Sequence, residues 1–323
     1  RLDSTLSAAS RFRGELLATT GRHDEAAAAY ARTIRLDPKD GAAHLGLAEA
    51  QRQTGRLAEA ARTLSAAVSL SPRDSRAHYL LARVASESGE AELAERSRRV
   101  FQRLSAAQRH FDQGQVYARR GRHAAADSEL TRAIEIDSCF SDAYLRLGAL
   151  RVRDSRSQAA LAVLRHAVER WPDRAENHAL LAEAYLRLNT AARALASFDT
   201  ALALDHGLAV AALGRGRALL SLERYDTAEG AFHQVLSLDP DEVEAYFSLG
   251  QIYTQQDHAA EAIASFRQCL GVDPDHLEAH YALGLLLAHT GDPERARHHL
   301  TRVLSLAPDH ERAREKLASI GQP

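Results

Sequence analysis

The chain has 323 residues, 45% of them hydrophobic, with 41 basic and 43 acidic side chains and a formal net charge of −2. That balance excludes a global field drawing it to nucleic acid or an anionic membrane, and the longest uncharged apolar stretch, Ala282–Ala288, is far too short to span a bilayer. Two cysteines make no disulfide framework, and the lack of CxxC, CxxCH and HExxH leaves structural zinc, c-type haem and zincin chemistry without their signatures.

Alanine recurs at 26, 60, 94, 126, 160, 194, 228, 262 and 296, in steps of 34 with a single step of 32 after Ala94. A second small column runs Gly14, Ala48, Ala82, Gly114, Gly148, Ala182, Gly216, Gly250 and Gly284. A fixed period in this range means one supersecondary unit copied along the chain. Strict smallness fits helices that cross closely, where a side chain larger than methyl would push the axes apart.

From the N-terminus the units fall at 7–40, 41–74, 75–106, 107–140, 141–174, 175–208, 209–242, 243–276 and 277–310, and proline closes six of them, at 38, 72, 172, 240, 274 and 308. Residues 1–6 are too few to cover the first unit. The third unit is two residues short, lacks a closing proline and puts Arg98 where other units carry leucine or an aromatic. Its second helix could run from Ala91 to Arg120, whereas Ser105 with Gln108 offers a capping box and argues for a new helix start. An irregular joint near 104–106 would divide an N-terminal part, 1–104 with repeats one to three, from 105–323 with repeats four to nine. Cys139 falls at an exposed turn, and Cys269 in a small-residue core column.

The clearest unit is 243–276. Tyr246, Leu249, Gly250 and Tyr253 form one amphipathic stripe, and Ala262, Phe266, Cys269 and Leu270 form a second. Asp257 suits a left-handed helix end, and Asp273-Pro274 stops the second helix. Residues 311–320 form one further helix, sparse in apolar residues, as expected of a solvating cap.

This arrangement of aromatic, Leu-Gly, Tyr, Ala, Phe and Pro along 34 residues resembles the tetratricopeptide repeat. The resemblance covers almost the whole chain. It implies an all-α fold, a right-handed α-solenoid of about nine helix-turn-helix repeats plus a C-terminal capping helix, 311–320. It also implies that first helices line a concave groove, with the fifth position of each unit facing it. Tyr79, Phe111, Leu145, Leu213, Phe247 and Tyr281 lie in that column and suit an extended or helical peptide. Arg119, Arg153 and Arg187 share one position in three successive units and would form a ladder for acidic side chains or a carboxylate terminus. The groove asparagines of chaperone-tail clamps and of the sugar-transferase relatives are missing, since the chain holds only Asn177 and Asn189.

His44, His78, His110, His178 and His280 occupy the fourth position, shared with Tyr144 and Tyr246, so that position wants a flat ring packed between helices. His298 and His299 are neighbours on a helix and cannot chelate as a pair. No catalytic constellation, metal site or cofactor site is expected. Every basic residue except Lys39 and Lys316 is arginine, which points to a GC-rich bacterial gene, and the start at Arg1 without any methionine suggests a removed leader or an excerpt of a longer chain. No signal peptide is visible, which leaves localisation open between cytoplasmic and secreted, and the short apolar stretches imply a soluble protein. The functional expectation is a non-enzymatic scaffold whose groove holds a protein or peptide partner, with an acidic one favoured by the arginines. The alternatives are self-assembly into a homo-oligomer, filament, tube or ring, and service as the repeat arm of a larger enzyme or complex.

Overall fold

The computed structural model describes residues 2–320, and all regular structure among them is helical. Helix α1 (Leu2–Thr19) pairs with α2 (His23–Leu36), and α3 (Gly41–Gln53) with α4 (Leu57–Leu70). Then α5 (Ser75–Glu87) leads into the long α6 (Ala91–Arg119), followed by α7 (His123–Ile136). The remaining hairpins are α8 (Ser141–Arg153) with α9 (Ser157–Arg170), α10 (Ala175–Arg187) with α11 (Ala191–Leu204), and α12 (Ala209–Ser221) with α13 (Tyr225–Leu238). After them come α14 (Val243–Gln255) with α15 (Ala259–Val272), α16 (Leu277–His289) with α17 (Pro293–Leu306), and a closing α18 (Glu311–Ile320). Packing runs between chain neighbours and next-but-one helices, which is the all-α helical-repeat solenoid that the period implies.

Each first helix ends in the same way. Gly21, Gly55, Gly89, Gly121, Ser155, Asn189, Glu223, Asp257 and Gly291 all hold a positive φ, from 54° to 85°. The chain reverses there, and the following N–H returns to the helix, as when Arg56 donates to the Gln51 carbonyl at 2.8 Å. Five second helices are closed by aspartate. Asp37, Asp137, Asp205, Asp239 and Asp273 each accept, through Oδ1, the backbone N–H two residues on, at 2.9–3.1 Å.

The core is a set of columns. The alanines that set the period are all buried, and a further column, Ala43, Ala77, Ala143, Ala211, Ala245, Ala279 and Ala313, is fully buried as well. Between them each regular second helix buries one large side chain: Tyr30, Leu64, Leu130, Leu164, Phe198, Phe232, Phe266 or Leu300, worth roughly 1.5–3 kcal/mol each. The small column faces these side chains. A Cβ at Gly14 would lie 2.8 Å from the Tyr30 ring, and one at Gly250 would lie 2.5 Å from the Phe266 ring. Smallness here therefore makes room chiefly for a neighbour's ring or leucine, more than for a neighbouring backbone. Cys269 is buried in the core, and burial, reinforced by Asp273, pushes its thiol up to about 12. Cys139 is half-buried rather than exposed.

Helix α6 settles the irregular repeat. It runs unbroken through 104–106, so Ser105 and Gln108 lie inside a helix and the capping box does not start one. Elsewhere four residues reverse the chain between repeats, as at 37–40. Here the shortened linker holds neither glycine nor proline, and helix continues through it. A single stripe, Ala94, Ser97, Leu104, Ala107, Phe111 and Gly114, is buried along its length. Arg98, at the place of the missing large side chain, is exposed and bonded to Glu95 at 2.7 Å. The chain divides into two compact units, one ending at Ala143 and the other starting at Tyr144.

Candidate functional site

The histidine column locks turns. His44, His78, His178 and His280 each place Nε2 2.9–3.1 Å from the carbonyl of the proline six residues earlier: Pro38, Pro72, Pro172 and Pro274. A carbonyl only accepts, so Nε2 carries the proton. In α18 Arg314 does the same for the Pro308 carbonyl at 2.5 Å. His110 has no such proline, and its Nδ1 meets Glu129 at 2.6 Å. The spacing Pro-x5-His is the signal for this role. No group of three or more potential metal ligands comes together among the described residues.

His280 also meets His299, Nδ1 to Nδ1 at 2.9 Å. Since His280 donates through Nε2, its Nδ1 accepts and His299 donates. Burial, then the neighbouring His280, His298 and Arg267, push His299 down to about 4.

In the unit ending at Ala143, first helices line a cavity of about 560 Å³ whose wall includes Glu15, Thr19, Leu45, Glu49, Gln53 and Arg76. One of its carboxylates, Glu49, is held by an arginine outside the lining. Arg52 donates to Glu49 at 2.7 Å and to Glu87 at 3.4 Å, and Arg83 donates to Glu87 at 3.0 Å. The Arg52 hydrogen bond holds the Glu49 carboxyl below its usual range. Tyr79 is 47% exposed and packs on Phe101 of α6, with ring centroids 5.4 Å apart. Phe111 requires a correction. It is buried, 4.7 Å from the Phe140 ring, because it lies on the core stripe of the continuous α6.

In the unit starting at Tyr144, an ion-pair chain crosses three successive first helices. Arg217 of α12 bonds Glu183 of α10 at 3.2 Å and Glu244 of α14 at 3.0 Å, while Arg187 bonds Glu183 at 3.1 Å. Beside it on α12 lie Val210, 67% exposed, and half-buried Leu213. Leu145 is half-buried too. Phe247 stacks on His276 with centroids 5.0 Å apart, and Tyr281 packs on His310 at 4.8 Å. These partners lie 29 residues on, as Phe140 lies from Phe111, so the fifth column is partly clamped by the next repeat's N-cap ring. Arg119, Arg153 and Arg187 are all exposed; Arg187 is held by Glu183, and Arg153 lies 3.9 Å from Asp154. Val210 escaped the sequence reading because a single exposed valine carries no periodic signal.

No helix among the described residues is long and apolar enough to cross a membrane. No curated protein matches the chain. Among solved structures, PilW, a widely conserved type IV pilus biogenesis factor, is 18% identical, with 67% of this chain and 98% of that one covered at a TM-score of 0.60. Pseudomonas aeruginosa PilF is 23% identical, with 56% and 88% covered at 0.50. YrrB, a tetratricopeptide protein with an unusual peptide-binding site, is 24% identical, with 58% and 96% covered at 0.46. Residues 17–84 and 254–320, 145–209 and 213–269, and 75–99 match three descriptions of the tetratricopeptide repeat. The chain belongs to the tetratricopeptide repeat family, whose members serve generally as protein-interaction scaffolds.

Proposed function

We propose that the protein is a non-enzymatic scaffold that holds an extended or helical peptide on the first-helix face of residues 144–323. The observation that carries this is Val210, a valine 67% exposed beside Leu213 and flanked by the Arg217 ion pairs. Those pairs tie α10, α12 and α14 at fixed spacing, so an apolar anchor sits on a rigid polar frame, the arrangement that favours a peptide hot spot. Phe247 and Tyr281 stand in the column of Leu213 on the next two first helices, as clamped rings, and Arg153 and Arg187 would turn guanidinium groups to acidic side chains of the ligand. Because Arg187 and Arg217 already bond carboxylates, the apolar anchor contributes more affinity than the arginines.

A displayed peptide library selected on the full chain tests this reading. Selected peptides are expected to lose at least about tenfold in affinity on Val210→Asp or Leu213→Glu, with the thermal transition unchanged for Val210→Asp. Peptides indifferent to both substitutions would remove the site from consideration.

A further inference from the structure

Tyr30 is the one tyrosine in its column. The other regular second helices bury Leu64, Leu130, Leu164, Phe198, Phe232, Phe266 or Leu300 there. Phenylalanine fills this space in three repeats without a polar atom to satisfy, so the extra hydroxyl of Tyr30 calls for a partner. Tyr30 is 4% exposed, and its hydroxyl has no hydrogen-bond partner among the described residues.

The glycines beside it leave that hydroxyl open. Sixteen residues before and after the ring stand Gly14 and Gly46, whereas the same two places around the other rings read Ala182 and Gly214, Gly216 and Ser248, and Gly250 and Ala282. Of these rings only Tyr30 has glycine on both sides. Its Cζ, the carbon that bears the hydroxyl, would lie 3.0 Å from a Cβ at Gly14 and 2.5 Å from one at Gly46. A side chain at either place would press on the ring tip and cover it. Tyr30 and Gly46 both line the cavity of about 560 Å³ between the first helices, so the hydroxyl stands on its floor.

Around that floor the open hydrogen-bonding positions are acceptors. Glu15 and Thr19 on α1 recur one period later as Glu49 and Gln53 on α3, each an i, i+4 pair on one helix face. The Thr19 hydroxyl donates to the Leu16 carbonyl at 2.8 Å, and Gln53 Nε2 donates to Glu49 at 3.0 Å, which leaves each with an oxygen that accepts. Glu49 is already bonded by Arg52. Glu15 is less held: Arg11 lies 3.6 Å from it and is shared with Asp40 at 3.4 Å. Burial, then the Glu15 charge, push the Tyr30 phenol up against the opposing pull of Arg11, which puts the Glu15 carboxylate within electrostatic reach of the hydroxyl. Ala18, Leu45 and Ala50 supply apolar wall between the acceptors, and the guanidinium of the lining, Arg76, belongs to α5.

We propose that this cavity takes one lysine or arginine side chain from a segment of a partner protein. The head group of either residue only donates, which suits a site whose open positions accept. It donates to the Glu15 carboxylate and the Tyr30 hydroxyl oxygen, while its aliphatic stem lies along Leu45 and the alanines. Arg76 repels the head group from the α5 end and so fixes it at the α1 end. The cavity is larger than one side chain needs, and the backbone of the segment enters with it. The lining belongs to α1, α2, α3 and α5, and the exposed Phe12 and Leu16 of α1 take no part in it. This site is separate from that of residues 144–323 and rests on charge where the other rests on an apolar anchor. Either can fail without the other.

The test uses the full chain and a displayed library of short random peptides, pre-cleared on the chain carrying Glu15→Lys. Peptides retained by the unaltered chain are expected to share one lysine or arginine. By fluorescence anisotropy, exchanging that residue for glutamine, or Glu15→Gln in the protein, should weaken the best peptide at least about tenfold. The two changes together should weaken it little more than either alone. Tyr30→Phe should weaken it at least about threefold, with the thermal transition unchanged, and Arg76→Ala should tighten it. Failure to retain any peptide, retained peptides without a shared basic residue, additive losses, or indifference to Tyr30→Phe overturns the proposal. So does spermidine that competes as tightly as the peptide, since the cavity would then serve a small amine.

Discussion

Arg73 and Asp137, 64 residues apart, are joined by a hydrogen bond of 2.6 Å from Nε to the carboxylate, with the guanidinium 4.1 Å from the Phe140 ring centroid. Helix α5 returns along the first half of α6 and α7 along the second, so the turns before α5 and after α7 meet near its midpoint. Asp137 is buried. Arg73→Ala strands that carboxylate and is expected to cost ~2–3 kcal/mol, measured by chemical denaturation. Arg73→Lys should recover less than half, because lysine lacks the fork and the planar face that lies on Phe140.

Ser155 and Glu223 hold φ of 58° and 57° where five other repeats carry glycine. A side chain in this conformation costs ~1 kcal/mol. Ser155→Gly and Glu223→Gly should therefore each raise stability by ~1 kcal/mol, and Gly55→Ala should lower it by a similar amount. Shifts in the denaturant midpoint at constant slope are the measurement.

The fit of ring to small residue can be tested inside the chain. Gly214→Leu drives a side chain into the Phe198 ring and should cost ~3 kcal/mol. Adding Phe198→Leu should recover more than half of that loss, although alone it destabilises by ~1 kcal/mol. A purely additive cycle would show that the ring and the small residue do not constrain each other.

Asn177 is fully buried in a column that is otherwise alanine in seven repeats, and its Oδ1 lacks a partner. Its amide donates to the carbonyls of Ala167 and Trp171 at 3.4 and 3.5 Å, and both already accept backbone N–H groups, from Trp171 and Arg174. Asn177→Ala leaves no group orphaned and removes a desolvated amide oxygen. An increase of ~1 kcal/mol is expected, read as a higher unfolding temperature.

His299 titrates at about 4 in the folded protein against an ordinary 6.5. The folded state binds fewer protons than the unfolded state between those values. Its contribution to stability is full above 6.5, is lost as pH falls towards about 4, and is flat below. The loss is ~2 kcal/mol once partial exposure is allowed for. His299→Phe should flatten the stability profile in that window; an unaltered profile would assign the titration elsewhere.

The repeat, its boundaries and its core columns are legible because alanine 26 and its successors recur at one period. The fused helix was half-legible. Ser105 and Gln108 satisfy a local capping rule, yet the two missing residues leave the chain no reversal to cap. The histidines read as packed rings; their bond to proline carbonyls lay in a Pro-x5-His spacing that column-by-column reading passes over. At the candidate groove, Phe111 and Phe247 look alike in sequence. Only the rings 29 residues on, Phe140 and His276, reveal that both are clamped, and only burial separates the two.

Helix α6, roughly 44 Å long at 1.5 Å per residue, serves repeat three as its second helix and repeat four as its first. A cut through the chain leaves whole hairpins on both sides only at the turns between repeats, such as those around 173 and 207. A cut between 91 and 119 breaks two hairpins at once. A deletion that is to leave whole hairpins on both sides must therefore take repeats three and four together, as one double module.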